Sequence, residues 1–247
     1  MSGFVTSTWY SERMKREAKL ARWGVAGQPV LLFPTAGGDA EEIERFLMIR
    51  VLEPLLSAGR IKIYSCDSVA GEAMVKQQGG PDYRMWLLNQ FHQYIRHEVV
   101  PAIRTDCNSG DIPIWTAGAS IGAFHAVAVL CRWPQLFHRA IGMSGTWNIL
   151  RFFGSEGRYT EDYFVSSPLQ FVPTLAGPHL AELRKRFVLI ASGAGRAENM
   201  DESWGLAQVL GAAGVPNRVD PWGADWHHDW PTWREMLPKY LGEWTQG

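Results

Sequence analysis

Ser120 stands at the centre of Gly118-Ala119-Ser120-Ile121-Gly122, with the apolar run Ile112-Pro113-Ile114-Trp115-Thr116-Ala117 before it and the helix-like Ala123 to Leu130 after it. That context reads as a strand, a sharp turn and a helix, and a serine at the apex of such a turn is held out beyond the end of a sheet. Glycine is needed on either side, because a side chain there collides with the strand or with the following helix. Such a serine is a candidate nucleophile for acyl transfer. Its hydroxyl is a weak nucleophile at neutral pH, so a base must take the proton and a third group must orient the base.

Candidates for both partners follow along the chain. After the apolar Phe187-Val188-Leu189-Ile190-Ala191 comes a loop, residues 192–202, that carries Glu198, Asp201 and Glu202. After the strand-like Asn217-Arg218-Val219-Asp220-Pro221-Trp222 comes Gly223-Ala224-Asp225-Trp226-His227-His228-Asp229-Trp230. The residues by themselves leave the base open between His227 and His228, and the acid open among Glu198, Asp201, Asp225 and Glu202. A carboxylate at a helix start is equally expected from the helix dipole. Acyl transfer further requires backbone donors for the developing oxyanion. One is the amide of Ile121; the second is expected from the turn Pro34-Thr35-Ala36-Gly37-Gly38, at Ala36, with Thr35 and Gly37 as its neighbouring rivals.

The elements that must position these groups can be read from the hydrophobic pattern. Pro29 to Phe33, Ile61 to Cys66, Ala140 to Met143 and Phe187 to Ala191 are short apolar runs bounded by turn residues, as expected of buried parallel strands. Between them the pattern predicts helices over Glu41 to Leu56, Tyr83 to Thr105 with a kink or break at Pro101, Ser203 to Ala213, and Trp230 to Trp244. Alternating strands and helices imply an α/β fold, a mostly parallel sheet with helices on both faces. Ser11 to Trp23 reads as an antiparallel lead-in strand. Residues 145–178, rich in Gly, Pro, Ser and aromatics, read as a small insertion over the pocket. Within and near it, Trp147 and Trp226 are expected to line the substrate pocket. Most of the other tryptophans, Trp115 and Trp244 among them, and His125, on the helix after Ser120, are expected to be core.

At 247 residues and 46% hydrophobic content, a single domain is expected, residues 1–247. A formal net charge of -1 gives no reason to expect nucleic acid or an anionic membrane as partner. The partner class is instead a small molecule, and a homo-oligomer is compatible with these features. With no apolar run near the roughly 20 residues of a membrane span and no signal-peptide core at the start, a cytoplasmic location is expected. Cys66, Cys107 and Cys131 show no paired spacing, and the histidines show no metal-ligand grouping, so neither disulfides nor a metal is expected.

Leu32-Phe33-Pro34-Thr35-Ala36-Gly37-Gly38, Gly118-Ala119-Ser120-Ile121-Gly122-Ala123, Ser144-Gly145 and His228-Asp229-Trp230-Pro231-Thr232-Trp233 together resemble the putative-esterase family of α/β-hydrolases, which includes esterase-D-like, feruloyl-esterase-like and mycolyltransferase-like proteins. The resemblance runs from about Trp9 to Leu241. It implies the α/β-hydrolase fold, a nucleophile–acid–histidine triad and no cofactor. It also implies that His228 rather than His227 is the base, and it favours Glu198 as the acid. Many relatives carry an aspartate slightly earlier, where this chain has Arg196. The function implied is carboxylic ester hydrolysis through an acyl-enzyme on Ser120. The alternatives are an acyltransferase on the same triad or a non-catalytic binding protein on a hydrolase scaffold.

Overall fold

A computed structural model describes residues 3–155 and 157–246. Its frame is an eight-stranded sheet in the order β1-β2-β4-β3-β5-β6-β7-β8. The strands are Val5–Ser11 (β1), Arg16–Trp23 (β2), Gln28–Phe33 (β3), Ile61–Cys66 (β4), Ile114–Ala119 (β5), Phe137–Met143 (β6), Phe187–Ser192 (β7) and Asn217–Pro221 (β8). β2 pairs antiparallel with β1 and with β4, while the strands from β4 to β8 are parallel. β4 and β5 are buried along their whole length; β5 accordingly appears in the sequence as a largely apolar run, whereas β4 also buries Lys62, whose Nζ pairs with Asp106 at 2.6 Å.

Helices α1 (Glu42–Arg45), α2 (Met48–Ser57), α3 (Val69–Val75), α4 (Pro81–Tyr94), α5 (Val100–Asp106) and α6 (Ile121–Arg132) follow in chain order. The excursion between β6 and β7 holds α7 (Glu161–Phe164), α8 (Pro168–Phe171) and α9 (Gly177–Leu183), and α10 (Met200–Ala212) and α11 (Trp230–Trp244) complete the set. One apolar layer places α1, α2 and α11 against the sheet through Ile43, Leu52 and Leu237. The opposite layer gathers α3 to α6, the excursion and α10 through Met85, Phe124 and Leu206.

Three features depart from the sequence expectation. The single helix expected from Glu41 to Leu56 is two helices, broken where Leu47 takes φ 64. The expected kink at Pro101 is absorbed upstream by a π-helical turn, Ile95–Val99. Proline has no N–H to donate, and a widened turn just before it relieves the clash of its ring with the preceding carbonyl. Ser11 to Trp23 is only half of a hairpin, whose first strand, β1, lies largely exposed at the sheet edge.

His125 is fully buried in α6, as expected of a core residue. Its Nδ1 lies 3.0 Å from Nε2 of His92, and Nδ1 of His92 lies 3.1 Å from Nη1 of Arg132. A guanidinium only donates, so His92 carries its proton on Nε2 and gives it to His125 Nδ1. His125 is then protonated on Nε2, an atom that is buried without a partner. Arg132 continues the chain to Asn89 at 2.7 Å, and Asn89 reaches Asp162 of the excursion at 2.6 Å.

Candidate active site

Parallel strands deliver their following loops to one end of the sheet, and here the loops after β3, β5, β6 and β7 meet at the carboxyl ends of adjacent strands. Ser120, between β5 and α6, has φ 57 and ψ -123. For a residue with a Cβ this backbone conformation costs about 1–3 kcal/mol, a cost often borne at functional positions. The turn is held by Ser120 N donating to Met143 O at 3.0 Å and by Thr146 N donating to Ser120 O at 3.2 Å. Its tightness depends on glycine: a Cβ at Gly122 would lie 2.5 Å from Pro34 O and 2.6 Å from Phe33 O. That close approach also sets the turn after β3 directly against the start of α6. At that start the amide of Ile121 makes no hydrogen bond among the described residues.

Glu198 and His228 come together from two loops. The Glu198 side chain is 1% exposed, and its Oε2 lies 3.6 Å from Nδ1 of His228. That separation is longer than a hydrogen bond but well within reach of an ionic interaction. Two hydroxyls donate to the same carboxylate, Ser144 to Oε1 at 2.5 Å and Ser192 to Oε2 at 3.2 Å. Burial acts to raise the Glu198 pKa, but the close His228 imidazole and the hydrogen bonds from Ser144 and Ser192 outweigh it. The carboxyl sits below its ordinary value and stays ionised at neutral pH. Trp233 Nε1 donates to Ser144 Oγ at 2.9 Å, and the Trp233 ring meets His228 edge-on, centroids 5.3 Å apart. With Nδ1 turned to the carboxylate, Nε2 of His228 is left to accept a proton.

The adjacent histidines do different work. His227 is exposed, and its Nδ1 accepts from the Arg196 amide at 3.0 Å. The amide of His228 in turn donates to Arg196 O at 3.1 Å. Arg196 is thus fastened through both its amide and its carbonyl, two residues before Glu198, and the loop of His227 and His228 holds the loop of Glu198 in place. The rival acids lie elsewhere. Asp201 is exposed in the first turn of α10, where its amide is capped by Asn199 at 3.1 Å. Glu202 accepts from the amides of Trp147 at 2.8 Å and Asn148 at 3.1 Å and pairs with Arg151 at 2.9 Å, so it anchors the start of the excursion. Asp225 is exposed in the histidine loop.

The turn after β3 occupies one of the rival amides and leaves two free. Thr35 N is taken by Glu42 at 2.7 Å, whereas the Ala36 and Gly37 amides make no hydrogen bond among the described residues. Trp147 requires a correction. It is 1% exposed and packs against Gly142 and Gly145, so it is a core residue rather than an open pocket wall. Trp226 is half-buried and meets Trp222 edge-on at 4.8 Å. Ser144, Trp233 and Glu42 were not singled out by type and spacing. Ser144 and Trp233 do fall inside the stretches that carry the family resemblance, whereas Glu42 has no local signal. Among the described residues no group of three or more His, Cys, Asp or Glu side chains is placed to hold a metal ion. No helix among them is long and apolar enough to cross a membrane.

The profile of the family described as "Putative esterase" matches residues 57–243. No curated protein sequence matches the chain significantly. Among solved structures, a ferulic acid esterase superposes with a TM-score of 0.76 at 18% identity, covering 99% of this chain and 98% of its own. MPT51 of Mycobacterium tuberculosis gives 0.74 at 16% identity, covering 100% and 99%. An S-formylglutathione hydrolase from Agrobacterium tumefaciens gives 0.72 at 12% identity, covering 98% and 94%. At these identities the likeness is one of fold, the α/β-hydrolase fold.

Proposed function

Because the chain belongs to the putative-esterase family, we propose that it is a serine hydrolase that cleaves carboxylic esters through an acyl-enzyme, with Ser120 as nucleophile, His228 as base and Glu198 as the acid. The observation that carries this reading is the buried Glu198 carboxylate, held by two hydroxyls and lying 3.6 Å from His228 Nδ1, at the sheet end where Ser120 occupies a strained turn. In the first step Ser120 Oγ attacks the ester carbonyl while His228 Nε2 takes its proton. The ionised Glu198 holds the imidazole orientation and stabilises the imidazolium. The amides of Ile121 and Ala36 donate to the oxyanion, and the imidazolium returns its proton to the departing alkoxide. Water, activated by the same histidine, then releases the acid. The chemistry uses protein groups throughout, and the substrate is a small ester.

Hydrolysis of p-nitrophenyl acetate tests the reading. Ser120→Ala and His228→Ala should each lower turnover by at least a thousandfold while circular dichroism stays that of the parent. Turnover unchanged in Ser120→Ala refutes it.

A further inference from the structure

The turn after β3 is fastened by a buried carboxylate that the proposed chemistry does not use. Glu42, in α1, is 7% exposed. Its Oε2 accepts from Thr35 N and its Oε1 from Thr35 Oγ1, both at 2.7 Å. The carboxylate lies flat against Gly38, where a Cβ would come within 2.6 Å of Oε1. The far end of the turn is pinned separately. Gly38 N donates to Thr35 O at 3.1 Å, and Gly38 O accepts from Ser68 N at 2.9 Å. Asp67 accepts from Ala40 N at 2.9 Å and from Lys19 N at 3.2 Å.

This pattern has a selective effect on the backbone donors. The Thr35 and Gly38 amides are occupied, and the two between them, Ala36 and Gly37, are left free among the described residues. Burying a carboxylate costs desolvation, and here it also brings negative charge close to a site that must accept a developing anion. An apolar side chain would pack the same space without either penalty. What only the carboxylate supplies is a paired, charge-assisted grip on one residue's N–H and O–H, which fixes the plane of the next peptide. Donors that are already oriented need not reorganise when charge appears, and this is the larger part of oxyanion stabilisation.

We propose that Glu42 is a positioning residue for the oxyanion hole: by clamping Thr35 through both its amide and its hydroxyl, it fixes the orientation of the Ala36 N–H in the turn that packs against the start of α6. The inference rests on the serine-hydrolase reading above.

The test compares Glu42→Ala, Glu42→Gln and Thr35→Val with the parent, using p-nitrophenyl acetate and a trifluoromethyl ketone whose adduct with the serine carries an oxyanion. Glu42→Ala should lower kcat about 100-fold with KM within about threefold, and should weaken the ketone by a similar factor. Glu42→Gln, which keeps an acceptor for the Thr35 amide, should recover most of the loss, and Thr35→Val should fall between. A folded Glu42→Ala protein with parental kcat, or with a loss carried by KM alone and the ketone unaffected, overturns the proposal. Should Glu42→Ala fail to fold, Thr35→Val with parental kcat overturns it. A parent protein inert to both the ester and a fluorophosphonate takes down the hydrolase reading and this inference together, whereas an active parent with indifferent variants defeats the inference alone.

Discussion

Ser144 Oγ donates to Glu198 Oε1 at 2.5 Å and accepts from Trp233 Nε1 at 2.9 Å. One hydroxyl from the end of β6 thereby ties the acid loop to the first turns of α11, beside His228. Ser144→Ala strands a buried carboxylate oxygen and a buried indole N–H, a loss of about 1–3 kcal/mol of stability at neutral pH. Glu198 has a lowered pKa in the fold, so its contribution is present above the ordinary carboxylate range and is lost as pH falls through the folded value. The difference between Ser144→Ala and the parent should therefore be largest at pH 7 and shrink below about pH 4. Urea denaturation at the two pH values measures it.

The three rival carboxylates in the acid loop predict three different phenotypes. Glu198→Gln should lower kcat on p-nitrophenyl acetate by about 10³–10⁴ with KM little changed, because the amide cannot stabilise the imidazolium. Asp201→Asn should stay within about threefold of the parent, since this exposed side chain only favours a helix start. Glu202→Gln should act mainly on thermal stability, by loosening the Trp147 and Asn148 amides. Steady-state kinetics and melting curves on the three proteins separate these effects.

How much of this could be read from the sequence depended on whether the cause was local. The turn around Ser120 was legible because a strand, a turn and a helix each leave their own pattern within a dozen residues. The buried strands were legible as apolar runs. β1 was not, because its residues are mostly exposed and carry no apolar face. The break at Leu47 was missed because neither proline nor glycine marks it. The inward turn of Trp147 is not legible, because being near a strand's carboxyl end does not say which way a ring points, and here Gly142 and Gly145 leave the space that admits it. The Ser144–Glu198 and Glu42–Thr35 contacts depend on side-chain direction, which residue type and spacing do not encode.

The buried pair His92 and His125 predicts an acid limb in stability. Burial, the nearby Arg132 charge and His125 hold the His92 pKa well below 6.5, and burial pushes His125 down to about 3. Both are neutral in the fold, while the unfolded chain takes up protons as pH drops below about 6.5. Stability should therefore fall with acidification, approaching about 1.4 kcal/mol per pH unit for each histidine. His125→Gln should lose one proton's worth of that slope. Denaturation free energies between pH 7 and pH 4 give the slope directly.

Backbone strain at Ser120 predicts that two equally inactive variants differ in stability. Ser120→Gly and Ser120→Ala should both be inactive, but glycine tolerates φ 57 and should be more stable than alanine by about 1 kcal/mol. Paired melting curves check the ordering. Gly122→Ala should destabilise, because its new methyl meets the Pro34 and Phe33 carbonyls.

The most direct measurement is the mass of the protein after treatment with a fluorophosphonate, followed by peptide mapping. The expected result is a single adduct on Ser120, formed in step with loss of esterase activity and strongly slowed in His228→Ala. No adduct, or an adduct at another residue with Ser120 unmodified, would contradict it.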